Sequence, residues 1–128
     1  MSNGRILIGE DKTLIMLLNK TGSAEISCNG KPMQTLSANT TDAAQDKHVP
    51  AVEVEGNKIT VKVGSVAHPM TDAHWIQWIY LQTKRGGQHR YLTPSDAPEA
   101  TFLVAEGDEP LAVYEYCNLH GLWKVDVK

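Results

Sequence analysis

Short runs of Val, Ile, Thr and aromatic residues, alternating with polar ones and cut by Gly, Asn and Pro, recur along this 128-residue chain, and no segment sustains a helical period. The pattern predicts an all-β protein. Expected strands cover Arg5 to Ile8, Thr13 to Leu18, Ala24 to Cys28, Ala51 to Glu55, Lys58 to Val63, Trp75 to Lys84, Thr101 to Val104 and Leu111 to Tyr116. Gly56-Asn57 lies between two alternating runs, and Gly86-Gly87 follows the long aromatic run. Both pairs read as hairpin turns that need positive φ, so pairing should be mainly antiparallel. The stretch Ser37 to Asp46 has small and acidic residues without a large apolar side chain, and it reads as a linker or crossing loop. A boundary is expected there, giving a small module over residues 1–37 and a main domain over 38–128. Beyond the boundary, seven or so strands suggest a two-sheet sandwich, with Trp75, Ile79 and Leu81 on one face of the long strand and Trp78 and Tyr80 on the other.

An apolar share of 41% supports a folded core, and a formal net charge of −3 without any basic run argues against a nucleic-acid partner. No apolar run approaches the roughly 20 residues that span a bilayer, and the N-terminus lacks the blocks of an export signal. A cytoplasmic protein is therefore expected. In that compartment the two cysteines are expected as thiols or ligands, not as a structural disulfide.

Four of the five histidines and one cysteine fall in three short clusters: Lys47-His48-Val49-Pro50, His68 to Trp75, and Glu115-Tyr116-Cys117-Asn118-Leu119-His120. Imidazole and thiolate bind borderline and soft transition metals, and such scarce residue types seldom crowd together for packing alone. Cys117 and His120 are two residues apart, which lets sulfur and nitrogen converge from one turn. His68 and His74 bracket a five-residue link stiffened by Pro69, and His48 stands at the mouth of an expected strand. Each residue alone is ordinary. The joint pattern points to a metal site.

These clusters, together with Val63-Gly64-Ser65-Val66-Ala67-His68-Pro69-Met70, His74-Trp75-Ile76, Asp96-Ala97-Pro98-Glu99-Ala100 and Gly121, resemble the superoxide reductases, the desulfoferrodoxin and neelaredoxin group. The resemblance covers residues 38 to 126 closely and the first 37 faintly. It implies an immunoglobulin-like antiparallel β-sandwich preceded by a residual N-terminal β module. It further implies a mononuclear non-haem iron with His48, His68, His74 and His120 in the equatorial plane and the Cys117 thiolate on the axis. Five ligands exceed the four of a closed zinc site and leave an open position, and an axial thiolate donates electron density to iron. The implied activity is one-electron reduction of superoxide to hydrogen peroxide. Lys47 would attract the anion and assist protonation, and Asp46, standing where glutamate is usual in the family, would be a short candidate for a sixth ligand. A rubredoxin-like electron donor and a homo-oligomer, with a dimer favoured, are implied as well.

The two-iron members of that group carry a four-cysteine iron centre in their N-terminal domain. Here Gly30-Lys31-Pro32-Met33 keeps the turn that follows it, but Cys28 alone remains, so a one-iron protein is expected. Met70 and Trp75 should form an apolar wall beside the site, and His89 should be a solvent-facing turn residue. Three alternatives stand beside the enzyme: an electron-transfer cupredoxin, a metal-free immunoglobulin-like binding module, and a closed structural zinc site. The first lacks a methionine after its last histidine, since none follows Met70.

Overall fold

The computed structural model describes residues 5–19, 22–41 and 43–127, and divides into two compact units, Met1–Ser37 and Ala38–Lys128. In the first unit, β1 (Ile6–Ile8) pairs antiparallel with β2 (Leu14–Met16) and β5 (Gln34–Thr35). A separate two-residue ladder joins β3 (Ser27–Cys28) to β4 (Lys31–Pro32). Asn29 at φ 51° and Gly30 at φ 79° make its turn, the Asn-Gly pair that tolerates two left-handed residues in succession. The Cys28 Sγ lies 3.4 Å from Asp11 Oδ1, and a Cβ on Gly9 would stand 2.6 Å from that sulfur.

The second unit opens with a single helical turn, α1 (Gln45–His48), which takes in the last two residues of the stretch expected to be loop; Asp42 of that stretch lies outside the described residues. Seven strands follow: β6 (Pro50–Glu55), β7 (Lys58–Val63), β8 (Ile76–Thr83), β9 (Gly86–Tyr91), β10 (Glu99–Leu103), β11 (Pro110–Cys117) and β12 (Gly121–Asp126). They form an antiparallel sheet β10-β7-β6 and a second antiparallel sheet β12-β11-β8-β9. Inward positions alternate along each strand, so Ile59, Val61 and Val63 of β7 meet Ile79 and Leu81 of β8, Phe102 of β10, and Val113 and Cys117 of β11 in one buried cluster. Burying each large aliphatic or aromatic side chain there stabilises the fold by about 1.5–3 kcal/mol. Trp78 and Tyr80 take the other face of β8, as the alternation requires.

One turn is placed differently from the sequence expectation. Gly86 and Gly87 begin β9, while Lys84 and Arg85 make the turn, and neither glycine has positive φ. Gly87 answers to packing: a Cβ there would overlap the Tyr80 ring, which lies across it from the adjacent strand. His89 consequently sits on a strand and not in a turn. From the other face of β9, Gln88 Nε2 donates to Leu103 O at 2.7 Å and an Arg90 guanidinium nitrogen to Thr101 O at 3.1 Å, occupying carbonyls along the free edge of β10.

Candidate metal centre

Each candidate ligand is delivered by a chain feature that local physics dictates. His48 closes α1, where Val49 N donates to Gln45 O at 2.9 Å and Pro50 diverts the chain into β6. The turn rests on the backbone of Gly64: a Cβ there would stand 2.6 Å from Asp46 O and 2.8 Å from Val49 O. The loop after β7 holds it from the same side, with Val66 N donating to Asp46 O at 2.9 Å and Ser65 Oγ donating at 3.2 Å. His68 follows in that loop, its N–H on Val63 O at 2.8 Å. His74 ends a tight turn closed by reciprocal Thr71–His74 backbone bonds of 2.9 and 3.1 Å. Cys117 ends β11, and His120 precedes Gly121, whose φ of 81° lets the chain reverse into β12.

These five side chains converge, with one donor atom from each lying within 4.8 Å of all the others. The rings stand around a quadrilateral. Neighbouring centroids are 4.6 Å apart for His48–His68 and His68–His74, 5.1 Å for His74–His120 and 4.8 Å for His120–His48, with each neighbour turned by 76–90°. His48 and His74 face each other across it at 6.4 Å and 28°. Asp46 is not in the converging set; it is exposed on α1, and its backbone carbonyl is what the loop engages.

Tautomers follow from the outer partners. His48 Nδ1 donates to Ala44 O and His68 Nδ1 to Pro69 O, both at 2.7 Å, and a carbonyl only accepts. Burial lowers the pKa of His48 and His74, and takes His68 down to about 4, so these rings are neutral near pH 7. The inward Nε2 atoms of His48 and His68 therefore both present lone pairs, yet lie 3.1 Å apart. His48 Nε2 is also 3.1 Å from His120 Nδ1, and His74 Nε2 is buried with no hydrogen-bond partner. Lone pairs aimed at one another repel unless a cation stands between them. Two nitrogens each about 2.1 Å from a common ion, at right angles, are roughly 3 Å apart, which is the spacing found. The site fits a metal ion.

Sulfur completes the set, with Cys117 Sγ 3.9 Å from His120 Nδ1. Burial pushes this thiol up, while the backbone N–H groups of Leu119 and His120 act in the opposite sense by favouring the thiolate. Asn118 is occupied elsewhere. Its Oδ1 accepts Trp75 N–H at 2.9 Å and its Nδ2 donates to Ala73 O at 3.0 Å, clamping the His74 turn to the Cys117–His120 turn. Trp123 forms a second brace, its ring tilted by 30° against His48 at 5.1 Å and its Nε1–H donating to His120 O at 3.1 Å. Neither brace follows from composition, although an Asn directly after a candidate ligand was a signal. Met70 packs against the core and accepts Ile76 N–H on sulfur at 3.4 Å, and Trp75 is half-buried beside His74. Glu115, on the inward face of β11 with Cys117, is fully buried, and burial pushes its carboxyl well above the ordinary range.

The centre is sunk on one side and open on the other: His48 and His68 are each 3% exposed, whereas His74 and His120 are half-buried. Lys47 is exposed on α1, and its charge acts on both His48 and His74.

The desulfoferrodoxin family profile matches residues 40–126. A desulfoferrodoxin from Syntrophotalea carbinolica is 54% identical over 102 residues, 80% of this chain and 79% of the relative. The crystal structure of a superoxide reductase from Treponema pallidum is similar with a TM-score of 0.78 at 40% identity, covering 94% of this chain and 98% of that one. A one-iron superoxide reductase from Giardia intestinalis is similar with a TM-score of 0.57 at 31% identity, covering 65% of this chain and 98% of that one.

Proposed function

The chain belongs to the desulfoferrodoxin family, and from that premise we propose that it is a superoxide reductase whose iron is held by His48, His68, His74, His120 and Cys117. The observation that carries this reading is the ring of four imidazoles with inward lone pairs 3.1 Å apart, beside one thiol. Iron held by these five residues would supply the one-electron redox chemistry that, with two protons, turns superoxide into hydrogen peroxide. The chain's own groups do the rest. His48 and His68 are oriented by carbonyls on their outer nitrogens, which fixes each lone pair toward the centre. Leu119 and His120 N–H groups favour the charged sulfur, and Cys117 as thiolate tunes the reduction potential. Lys47 draws the anion toward the exposed side and organises proton delivery there. Asp46 is one methylene shorter than glutamate, and we assign it a place at the rim of the site.

A copper electron-transfer site of the cupredoxin kind uses two histidines, a cysteine and a weak axial methionine. Four converging imidazoles, and a Met70 sulfur that accepts a backbone N–H, favour the reductase. A structural zinc site would close at four ligands and leave one of these five unused.

Residues 1–37 form, in this reading, a residual β module without metal, since Cys28 is the only cysteine outside the centre. Reducing equivalents come from a small rubredoxin-like protein, in a cytoplasmic setting, and the chain works as a homo-oligomer, a dimer by preference. No helix among the described residues is long and apolar enough to cross a membrane.

Metal analysis with optical spectra tests the function. Unmanipulated protein should carry about one iron per chain and show a visible thiolate-to-iron band when oxidised, and Cys117→Ser should lose the band. Protein that takes up no iron, or whose band survives the substitution, refutes the assignment.

A further inference from the structure

Hydrogen peroxide released at the centre threatens the ligands whenever it meets iron that has been re-reduced to the ferrous state. Resting on the proposed function, we propose that the aromatic row Tyr116–Trp78–Tyr91 is an outlet that carries oxidising equivalents from the centre to the surface, making Tyr91 a sacrificial oxidation site.

The row is written in the strand register. On the outer face of β12-β11-β8-β9, Tyr116 lies directly opposite Trp78, and Trp78 directly opposite Tyr91. The next row pairs Tyr114 with Tyr80 and Tyr80 with His89. Tyr116 is bonded to Cys117 through one peptide link, while their side chains take opposite faces of the sheet. Its ring stacks on Trp78 at 5.8 Å and 12°. Trp78 meets the His89 edge at 5.5 Å, and His89 stacks on Tyr91 at 6.1 Å and 12°. All of these are spacings of rings in contact. The run starts beside the sulfur ligand and ends on the edge strand β9, where Tyr91 is 77% exposed. Cross-strand aromatic pairs also stabilise sheets, but a terminal ring this exposed adds little burial. An oxidisable phenol at the solvent end of the row is what an outlet requires.

The electrons balance. One hydrogen peroxide needs two electrons and two protons to become two waters. The ferrous ion provides one electron. Tyr91 provides the second through the row together with its phenolic proton, and solvent provides the other proton. The products are ferric iron, two waters and a Tyr91 phenoxyl radical, and two such radicals couple through a carbon–carbon bond to give dityrosine.

Reduced iron-loaded protein, treated anaerobically with one equivalent of hydrogen peroxide, should show a freeze-quenched tyrosyl signal and dityrosine linked through Tyr91 in peptide maps. Tyr91→Phe should lose both signals while keeping its rate with superoxide, and should oxidise Cys117 several-fold faster. Trp78→Phe should lower Tyr91 modification at least fivefold. Tyr91 left unmodified, or modified equally in zinc-loaded protein or in Trp78→Phe, overturns the outlet. Iron content and superoxide rate measured on the same samples separate the two ideas. A preparation lacking both sinks the reductase and the outlet together, whereas intact iron and rate with an untouched Tyr91 sink the outlet alone.

Discussion

Superoxide is an anion and the chain carries a formal net charge of −3, so at long range the protein repels its own substrate. Useful attraction has to be local, and in the proposed reading Lys47, whose charge acts on His48 and His74, supplies it. Lys47→Ala should lower the second-order rate about tenfold at low salt and flatten its dependence on ionic strength, because an exposed charge is screened over about 10 Å at 0.1 M. Stopped-flow rates across a salt series measure both, and an unchanged rate removes the role. His89 gives a second prediction at this scale. Although His89 is exposed on β9, its ring is partly desolvated against Trp78, Tyr80 and Tyr91, and this lowers its pKa below 6.5. As pH falls, the unfolded chain takes up this proton before the folded one does, so stability is present above 6.5 and declines below it toward the lowered folded value. His89→Gln should make the urea midpoint fall less between pH 7.5 and 5.5 than in wild type. The steeper decline in the variant would contradict the sign.

Elements, more than individual ligands, decide whether the five donors meet. The His74 turn and the Cys117–His120 turn come from distant parts of the chain and are tied by the two Asn118 side-chain bonds. Asn118→Ala leaves a backbone N–H and a carbonyl without those partners and should cost about 2 kcal/mol in chemical unfolding. It should also shift the thiolate-to-iron band, whereas Asn118→Asp, which keeps the acceptor for Trp75 N–H, should restore the band in part. Gly64 acts on another element. In Gly64→Ala the new methyl meets the backbone oxygens of Asp46 in α1 and of Val49 just after it, which have no rotamer to escape into, so His48 and Lys47 move together. A displacement of this size should cost at least about tenfold in superoxide rate. Gly86→Ala, with open space around its Cβ, should leave that rate unchanged. Sequence shows the ligands and hides the braces for a physical reason. Cys and His advertise themselves by rarity and spacing, whereas the work of Asn118, Trp123 and Gly64 depends on which loops approach one another. The displaced hairpin turn has the same origin: Gly86-Gly87 looks like a turn signal, but the tertiary demand is room for the Tyr80 ring.

At the scale of the whole molecule, alternation together with turn-punctuated strand spacing is enough to read the two-sheet β architecture of the main domain, because inward and outward positions are set by the pleat and not by the partner strand. The single turn of α1 was not legible, since four residues carry too little periodicity to distinguish a helix from a loop. The sandwich that results assembles its metal centre from loops at strand ends, so metal and fold are thermodynamically linked. An apo centre holds several lone pairs in mutual repulsion, and a cation that binds the folded state alone relieves it. Iron at a thousandfold excess over its dissociation constant should add about 4 kcal/mol to stability. For a domain of this size each kcal/mol moves the melting temperature by about 4–8 °C. Chelator treatment should therefore lower the melting temperature of the Ala38–Lys128 unit by well over about 10 °C. The gain should shrink as pH falls, because a thiolate and neutral imidazoles must be free of protons to bind. Cys117→Ser, with one donor weakened, should show a smaller difference between loaded and stripped protein. Calorimetric scans of the loaded and stripped forms at pH 7.5 and 6 decide the matter: equal melting temperatures would mean that the five side chains are held together by packing alone and that no metal contributes to the fold.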